Sequence, residues 1–269
     1  MFLKEIKRGI FNKRFLVLSL ISLVLFLISS YDTVWRDAFG IDRVGDLNSE
    51  GMKYLLEYSR NKYHIWIQSY RFISIIFPFV IVIPYTYSYV NERKNKFNLL
   101  VISRCGRIKY LINKFIAISC TGALALALPE IIYYIGLSIF SRNTILKPFQ
   151  LYPYGFFSEL FTYSPDSYIL MTILMHLVLG FTFGAFALGI ASFCINKTSV
   201  YLIPFGVCLI LNIIISNIDE LQNYSILDSY LFMFRENYSL INFIITNMFN
   251  LSLGVLLFSL SEKRRFLNG

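Results

Sequence analysis

Residues 168–195 read YILMTILMHLVLGFTFGAFALGIASFCI and contain no Asp, Glu, Lys or Arg. A helix needs roughly 20 apolar residues to cross about 30 Å of hydrocarbon, so this run predicts a membrane span. Within it, Gly180, Gly184, Ala187 and Ala191 recur at helical spacing. Such a stripe of small residues lets another helix approach closely, and it predicts a packing face within the chain or against another subunit.

Five further apolar runs accompany this one in a chain of 269 residues, of which 56% are hydrophobic and only 15% are charged. The six predicted spans are Phe15–Ser30, Phe72–Val90, Phe115–Phe140, Tyr168–Ile195, Val200–Ser216 and Leu240–Leu260. The runs are continuously apolar, whereas membrane-spanning strands alternate over about ten residues. The predicted fold class is therefore an all-α integral membrane protein with about six transmembrane helices.

Charge divides unevenly between the two sides of these spans. If the N-terminus is cytoplasmic, the inside segments hold 16 basic residues (Lys or Arg) and three acidic ones. The outside segments then hold nine basic residues and twelve acidic ones. The positive-inside rule favours this orientation, with both termini in the cytoplasm. Topology thereby accounts for the net charge of +9, and no recognition motif accompanies it, so a nucleic-acid partner is not expected.

The chain is predicted to be one transmembrane domain, residues 1–269, with three notable segments outside the membrane. Residues 1–14 form either an amphipathic helix in the cytoplasmic interface or a basic flank that only sets orientation. Residues 31–70 form an extracellular segment, and residues 91–114 form a cytoplasmic loop. The first apolar run lacks a small-x-small cleavage site, so it is predicted to be a retained anchor and not a signal peptide.

Aromatic and basic residues precede the second span. Trp66, Tyr70 and Arg71 are predicted to be interfacial anchors. His64 is predicted to be an exposed surface residue, which is the commonest setting for a lone histidine. Pro78 and Pro84 in the second span each remove a backbone donor and are expected to kink or interrupt the helix.

Two ionisable residues fall deep within predicted spans, where an unpaired charge is costly and usually functional. Counting 1.5 Å per residue from each boundary places Glu130 and His176 at overlapping depths. A hydrogen bond between them is one hypothesis; the alternative is that each meets a different polar group or faces water. In the sixth span, Asn242, Thr246 and Asn250 form one polar stripe, which predicts either interhelical hydrogen bonds or a path for a solute.

The cytoplasmic loop concentrates charge in an otherwise apolar chain. Residues 91–114 contain seven Lys/Arg and one acidic residue. Apolar residues recur at helical spacing on both sides of Gly106. This pattern predicts a helix, a turn and a second helix, both lying along the membrane surface before the chain enters the third span.

This loop resembles that of type 2 membrane permeases of ATP-binding-cassette (ABC) transporters. The matching features are the pair Glu92 and Arg93, the apolar segment Phe97–Ser103, the turn Arg104–Arg107, and Lys114 at the entry to the third span. The chain departs from the family pattern after the pair, where KNKF lacks the usual glycine and Ser/Thr, and in the turn, which lacks a proline. By topology the resemblance covers essentially the whole chain, but its motifs occupy about 25 residues.

The resemblance implies a permease subunit of an ABC exporter in a bacterial plasma membrane. It would form the translocation path with a second permease, identical or related, and would couple to separate ATPase subunits that bind ATP and Mg. A peptide, bacteriocin or drug is the substrate class expected. The residues implied in ATPase coupling are Glu92, Arg93, Phe97, Leu100, Arg104 and Arg107.

Two other function classes remain open from the sequence. One is a membrane-embedded enzyme using Glu130 and His176, and the other is a non-transporting membrane sensor or assembly factor. The chain has no GxxxxGK[ST], HExxH or GxSxG motif, and its four cysteines lack metal-ligand spacing. No catalytic residue, bound cofactor or metal is therefore predicted in this chain.

Overall fold

A computed structural model describes residues 2–36, 49–142 and 153–267. Residues 37–48, which belong to the predicted extracellular segment, lie outside the described residues. The helices are α1 (Phe2–Ile10), α2 (Lys13–Ser30), α3 (Ser49–Ser59), α4 (Lys62–Gln68), α5 (Ile73–Val82), α6 (Thr86–Lys94), α7 (Phe97–Cys105), α8 (Arg107–Phe140), α9 (Ser158–Tyr163), α10 (Pro165–Ala191), α11 (Lys197–Ser216), α12 (Ile226–Tyr230) and α13 (Leu240–Leu267). The described residues contain no β-strand.

Among the described residues, six stretches of helix are long and apolar enough to cross a membrane, in agreement with the predicted number of spans. They are Lys13–Trp35, Ile73–Lys94, Arg107–Phe140, Pro165–Ala191, Lys197–Ser216 and Leu240–Arg265. We call the end of the bundle that holds α1, α7 and the last turns of α13 the basal end. The opposite end, which holds α4, α9 and α12, is the cap end.

The third span begins earlier than the sequence predicted. A single helix runs from Arg107 to Phe140, so the second surface helix expected before Phe115 is not a separate element. Gly106 forms the break before it, with φ of 82°, a conformation that favours glycine. No proline follows Gly106 until Pro129, so α8 is continuous, and the candidate span that it forms begins at Arg107 and not at Phe115.

The second span is interrupted at Pro84, one of its two prolines, whereas Pro78 lies inside helix α5 without ending it. Helix α5 ends at Val82, and α6 begins at Thr86. Because Pro84 supplies no backbone N–H, the ladder of hydrogen bonds cannot continue through it. The break allows the charged end of α6 to turn independently of the apolar part of the span.

Helix α10 lies at the centre of the bundle, packed between α8 and α13. Glycines allow close approach at both interfaces, that between α10 and α8 and that between α10 and α13. A Cβ atom added at Gly180 would lie 2.7 Å from the Cα atom of Ala123, and one added at Gly254 would lie 2.6 Å from the backbone of Ala185. Gly184 also faces α8, where an added Cβ would lie 3.2 Å from the Cα atom of Ser119. The small residues therefore let backbones touch, which maximises dispersion contacts between spans.

The cap end buries residues that were predicted to be superficial. Trp66 and Tyr70 are 0% exposed and belong to the core, so their assignment as interfacial anchors is wrong. His64 is 3% exposed, so its assignment to the surface is also wrong. Burial lowers the pKa of His64 to about 3, which leaves the imidazole neutral throughout the physiological range. Arg71 keeps an exposed side chain, and its guanidinium pairs with Asp32 at 2.6 Å.

We predict that Gly180→Ala destabilises the bundle by about 1 to 3 kcal/mol, the usual effect of overpacking a core. The added methyl would meet backbone atoms of α8, which cannot rotate away. Gly136→Ala is the matched control, because nothing lies within 4 Å of that position and alanine favours a helix. Thermal unfolding in one detergent checks both variants; equal midpoints would contradict the close contact.

Candidate functional site

A buried lysine links three elements at the basal end. The Lys114 ammonium lies 2.8 Å from Glu5 Oε2 and 2.7 Å from Glu92 Oε1, which brings together the start of α8, helix α1 and the end of α6. Lys114 is 1% exposed, and the two glutamates are 9% and 7% exposed. We call Glu5, Glu92 and Lys114 the basal ion cluster.

Neighbouring side chains add further hydrogen bonds to the two carboxylates of the basal ion cluster. The hydroxyl of Tyr85 donates to Glu5 at 2.6 Å, and that of Tyr110 donates to Glu92 at 3.0 Å. Arg8, whose side chain is half-exposed, reaches Glu5 at 3.1 Å and Glu92 at 3.5 Å. Two carboxylates thus face two cations, and the buried charge is balanced.

The N-terminal helix owes its position to this cluster and to close packing. Burial alone would raise the pKa of Glu5, but the charge and hydrogen bond of Lys114 outweigh it and hold that pKa below its ordinary value. One turn further, Gly9 packs so closely on α8 that an added Cβ would collide with Thr121. Glu5 is therefore charged at neutral pH and fixes α1 against the third span.

Arg93 does not point away from the bundle. Its guanidinium donates to the carbonyls of Ser192 and Cys194, each at 2.8 Å, where the chain leaves α10. A cation at a helix C-terminus satisfies unpaired carbonyls and complements the helix dipole. Arg265 of α13 also donates to Ser192 and pairs with Glu262 at 2.7 Å. The basal ends of α6, α10 and α13 are thereby joined.

Helix α7 has a different character from its surroundings. Along the chain it lies between Glu92 and Lys114 of the basal ion cluster, and it contains no buried residue. Phe97 and Leu100 are 43% and 61% exposed, and Arg104 is exposed one turn later. Arg107, beyond the turn, donates to the Glu262 carbonyl at 2.7 Å. Of the predicted coupling residues, Glu92, Arg93 and Arg107 therefore bond within the bundle, and the other three present an unpartnered surface.

A second polar site lies in the middle of the bundle. His176 Nδ1 lies 2.8 and 2.9 Å from the two oxygens of the Glu130 carboxyl, and both side chains are 0% exposed. His176 Nε2 lies 3.0 Å from the backbone carbonyl of Tyr230. The hydrogen bond inferred from matching depths is present, and its third partner comes from the loop between the fifth and sixth spans.

This geometry determines where one proton lies. A carbonyl can only accept, so His176 Nε2 must carry the hydrogen that it donates to Tyr230. Nδ1 then either accepts from a protonated Glu130 or donates, as imidazolium, to its carboxylate. Both forms are neutral overall and differ by one proton transfer along the same hydrogen bond. The pair can therefore be buried in an apolar bundle without net charge.

Aromatic rings close this site on the cap side. The Tyr230 ring stacks on His176 and on Phe77, each with centroids 4.6 Å apart. Tyr70 packs between His176 and Trp66. The hydroxyl of Tyr230 is buried without a hydrogen-bond partner among the described residues, and the buried hydroxyl of Tyr70 lies close to the Glu130 carboxyl. The site is closed in this conformation, and a conformational change is needed before it can meet solvent or a solute.

The polar stripe of the sixth span makes separate contacts. Thr246 Oγ1 donates to the Tyr224 carbonyl at 3.2 Å, and the neighbouring Asn247 accepts from Thr182 of α10 at 2.5 Å. Asn250 is 2% exposed, and its amide nitrogen has no hydrogen-bond partner in the described part of the chain. Asn242 lies half-buried near the start of α13. These residues do not join Glu130 and His176 in one site.

Sequence reasoning missed an ion pair at the cap end in which the lysine is buried and the aspartate is half exposed. Lys62 is 4% exposed, and its ammonium lies 2.7 Å from Asp166 Oδ1 at the start of α10. The ammonium also donates to the hydroxyl oxygen of Tyr134 at 3.2 Å. Little in the sequence indicates that Lys62 is buried, because a lysine in a predicted surface segment is ordinarily exposed to solvent. Glu5 was recoverable as the one acidic residue among the five basic ones in residues 1–14.

These features define the class of the protein as a multi-pass α-helical membrane protein, by helix length and composition. No protein-family model, curated protein or solved structure matches the chain. Its function must therefore be inferred from its own topology and sites.

We predict that Lys114→Met destabilises the protein by about 3 to 5 kcal/mol, because it leaves two buried carboxylates without their shared cation. Combining it with Glu92→Gln should recover part of that loss, since one of the two orphaned charges is removed. Lys109→Met, an exposed position on the same helix, is the control. Unfolding midpoints in detergent measure all three; a Lys114 variant as stable as the control would refute the cluster.

We predict different effects for two substitutions of Glu130. Glutamine can still donate to His176 Nδ1, so Glu130→Gln should stay within about 1 kcal/mol of the wild type. Glu130→Leu leaves that nitrogen unpaired and should cost about 1 to 3 kcal/mol. Unfolding of purified variants tests this order. If both variants unfold alike, the hydrogen bond does not contribute to stability.

Proposed function

We propose that the chain is the membrane-spanning permease subunit of an ABC exporter. It forms the translocation path and couples to a separate ATPase subunit. The observation that carries the proposal is α7, a helix with exposed apolar side chains and no buried residue, held at the basal end between two spans. A helix that covers none of its apolar side chains within its own fold is suited to binding a partner.

The basal ion cluster supports a mechanical role for α7. The helix lies between α6 and α8, which carry Glu92 and Lys114 respectively. A displacement of α7 would therefore move the ends of two spans that are already bonded to each other and to α1. In this proposal Glu92 and Arg93 are positioning residues for the coupling helix, while Phe97, Leu100 and Arg104 contact the ATPase.

The central site supports a closed state of the path. Glu130, His176 and the Tyr230 carbonyl join α8, α10 and the end of α12 beneath the cap. Separating these elements would expose this polar triad of the bundle core. We propose that ATP-driven movement at the basal end opens this region to the exported solute, a peptide, bacteriocin or drug.

The lateral surface supports assembly with a second permease, identical or related. Helices α2 and α11 bury a smaller share of their residues than α8 and α10 do. The exposed apolar side chains of α11 include Leu202, Ile203, Leu209, Ile210, Ile213 and Ile214. The excess of basic residues at the basal end supports a cytoplasmic location for both termini in a bacterial plasma membrane.

The proposal predicts that the chain co-purifies with an ATPase containing a GxxxxGK[ST] motif when isolated from the membranes of its native host. Leu100→Asp should abolish this association, because it places a charge on the contact surface of α7 without changing a buried group. Mass spectrometry of the purified material identifies the partner and measures its ratio to the permease.

Phe140→Asp, at an exposed position on the cap side, is the matched control and should retain the ATPase. Absence of any such ATPase from wild-type preparations would overturn the proposal. So would full retention by the Leu100 variant, since coupling would then not use α7. If no ATPase co-purifies with the wild-type chain, the alternative of a non-transporting sensor or assembly factor is favoured.

A further inference from the structure

The basal ends of α8 and α13 leave an apolar groove between them. Its volume is about 810 Å³, and it is lined by Arg107, Ile108, Leu111, Ile112, Phe115, Ile116, Val255, Phe258, Ser259 and Glu262. The rings of Phe115 and Phe258, with centroids 5.7 Å apart, connect the two helices. Both helices pack on α10, but the groove itself opens outward from the bundle.

The length of the groove fits one leaflet of a bilayer. Its lining on α8 runs from Ile108 to Ile116, which spans about 12 Å at 1.5 Å per residue. Half of a hydrocarbon core is about 15 Å thick. Ile108 and Ile112 are 74% and 53% exposed, so the protein itself does not cover them. Within a membrane, an acyl chain of matching length would fill this groove.

Basic residues adjoin the lining residues at the basal end, or mouth, of the groove, Lys109 next to Ile108 and Lys263 next to Glu262. Lys109 on α8 and Lys263 on α13 are both exposed, and Lys263 follows the lining residue Ser259 by one helical turn. Arg264 is also exposed beside them. The one acidic lining residue, Glu262, already pairs with Arg265 at 2.7 Å. The mouth is therefore positively charged, as is typical of sites that bind anionic lipid headgroups between spans.

We propose that this groove binds one anionic phospholipid. An acyl chain lies along Ile108, Ile112 and Phe115, and the phosphate lies between Lys109 and Lys263. This inference does not rest on the transport function, because it depends only on the groove, its charge and the membrane. A second copy of the chain would fill the apolar groove equally well, but would leave the basic mouth without an anionic partner.

Native mass spectrometry tests this inference on the full chain. The protein is purified after exchange into nanodiscs containing equal amounts of phosphatidylglycerol and phosphatidylcholine, and the retained lipids are counted. We expect one phosphatidylglycerol to be retained preferentially. The double variant Lys109→Gln, Lys263→Gln should lower the preference over phosphatidylcholine by about tenfold or more, since two headgroup contacts are lost. Ile112→Trp should reduce retention of the lipid by filling the groove.

Matched controls distinguish this site from general lipid attraction. The double variant Lys4→Gln, Lys197→Gln removes the same charge from exposed positions at the basal end, and Ile132→Trp adds the same ring elsewhere on α8. Both should retain the wild-type preference. Equal losses in variants and controls would overturn the proposal. It would also fail if Ile112→Trp left lipid retention unchanged and converted a dimer to a monomer, because the groove would then be a protein interface.

Discussion

The buried ammonium of Lys114, held between Glu5 and Glu92, is the interaction on which the basal end depends. Burying a single unpaired charge at this depth would destabilise the fold, and burying two carboxylates that face each other without a cation would destabilise it further. Together they are neutralised, and their hydrogen bonds reach α1, α6 and α8 at once. Helix α7, which lies between two of these elements, needs no buried face of its own because its neighbours hold its ends in place.

The same physical constraint shapes the middle of the bundle. Glu130 and His176 can be fully buried because one proton between them cancels their charge, and because the Tyr230 carbonyl accepts the remaining imidazole N–H. The bond to Tyr230 also explains why the loop after the fifth span enters the bundle. A polar pair in the core thus holds the cap, while close glycine contacts hold the helices that carry it.

These two sites lie at different levels of one set of helices. Helix α8 carries both Lys114 and Glu130, and its continuous course from Arg107 to Phe140 connects the basal end to the core. A rigid-body movement of α8 would displace residues at both levels. The groove between α8 and α13 lies along this same helix, so a lipid bound there would contact the element that links the two sites.

The number of spans, their approximate positions and the excess of basic charge at one end were determined by the sequence alone, because hydrophobic length and the sign of charge are local properties. Depth counting also matched Glu130 with His176, since helical rise is constant. Only the tertiary structure decided that Lys114 joins Glu5 to Glu92, and that Trp66, Tyr70 and His64 are buried. Those outcomes depend on how each helix rotates and which neighbour it meets, and hydropathy along a single chain does not encode either.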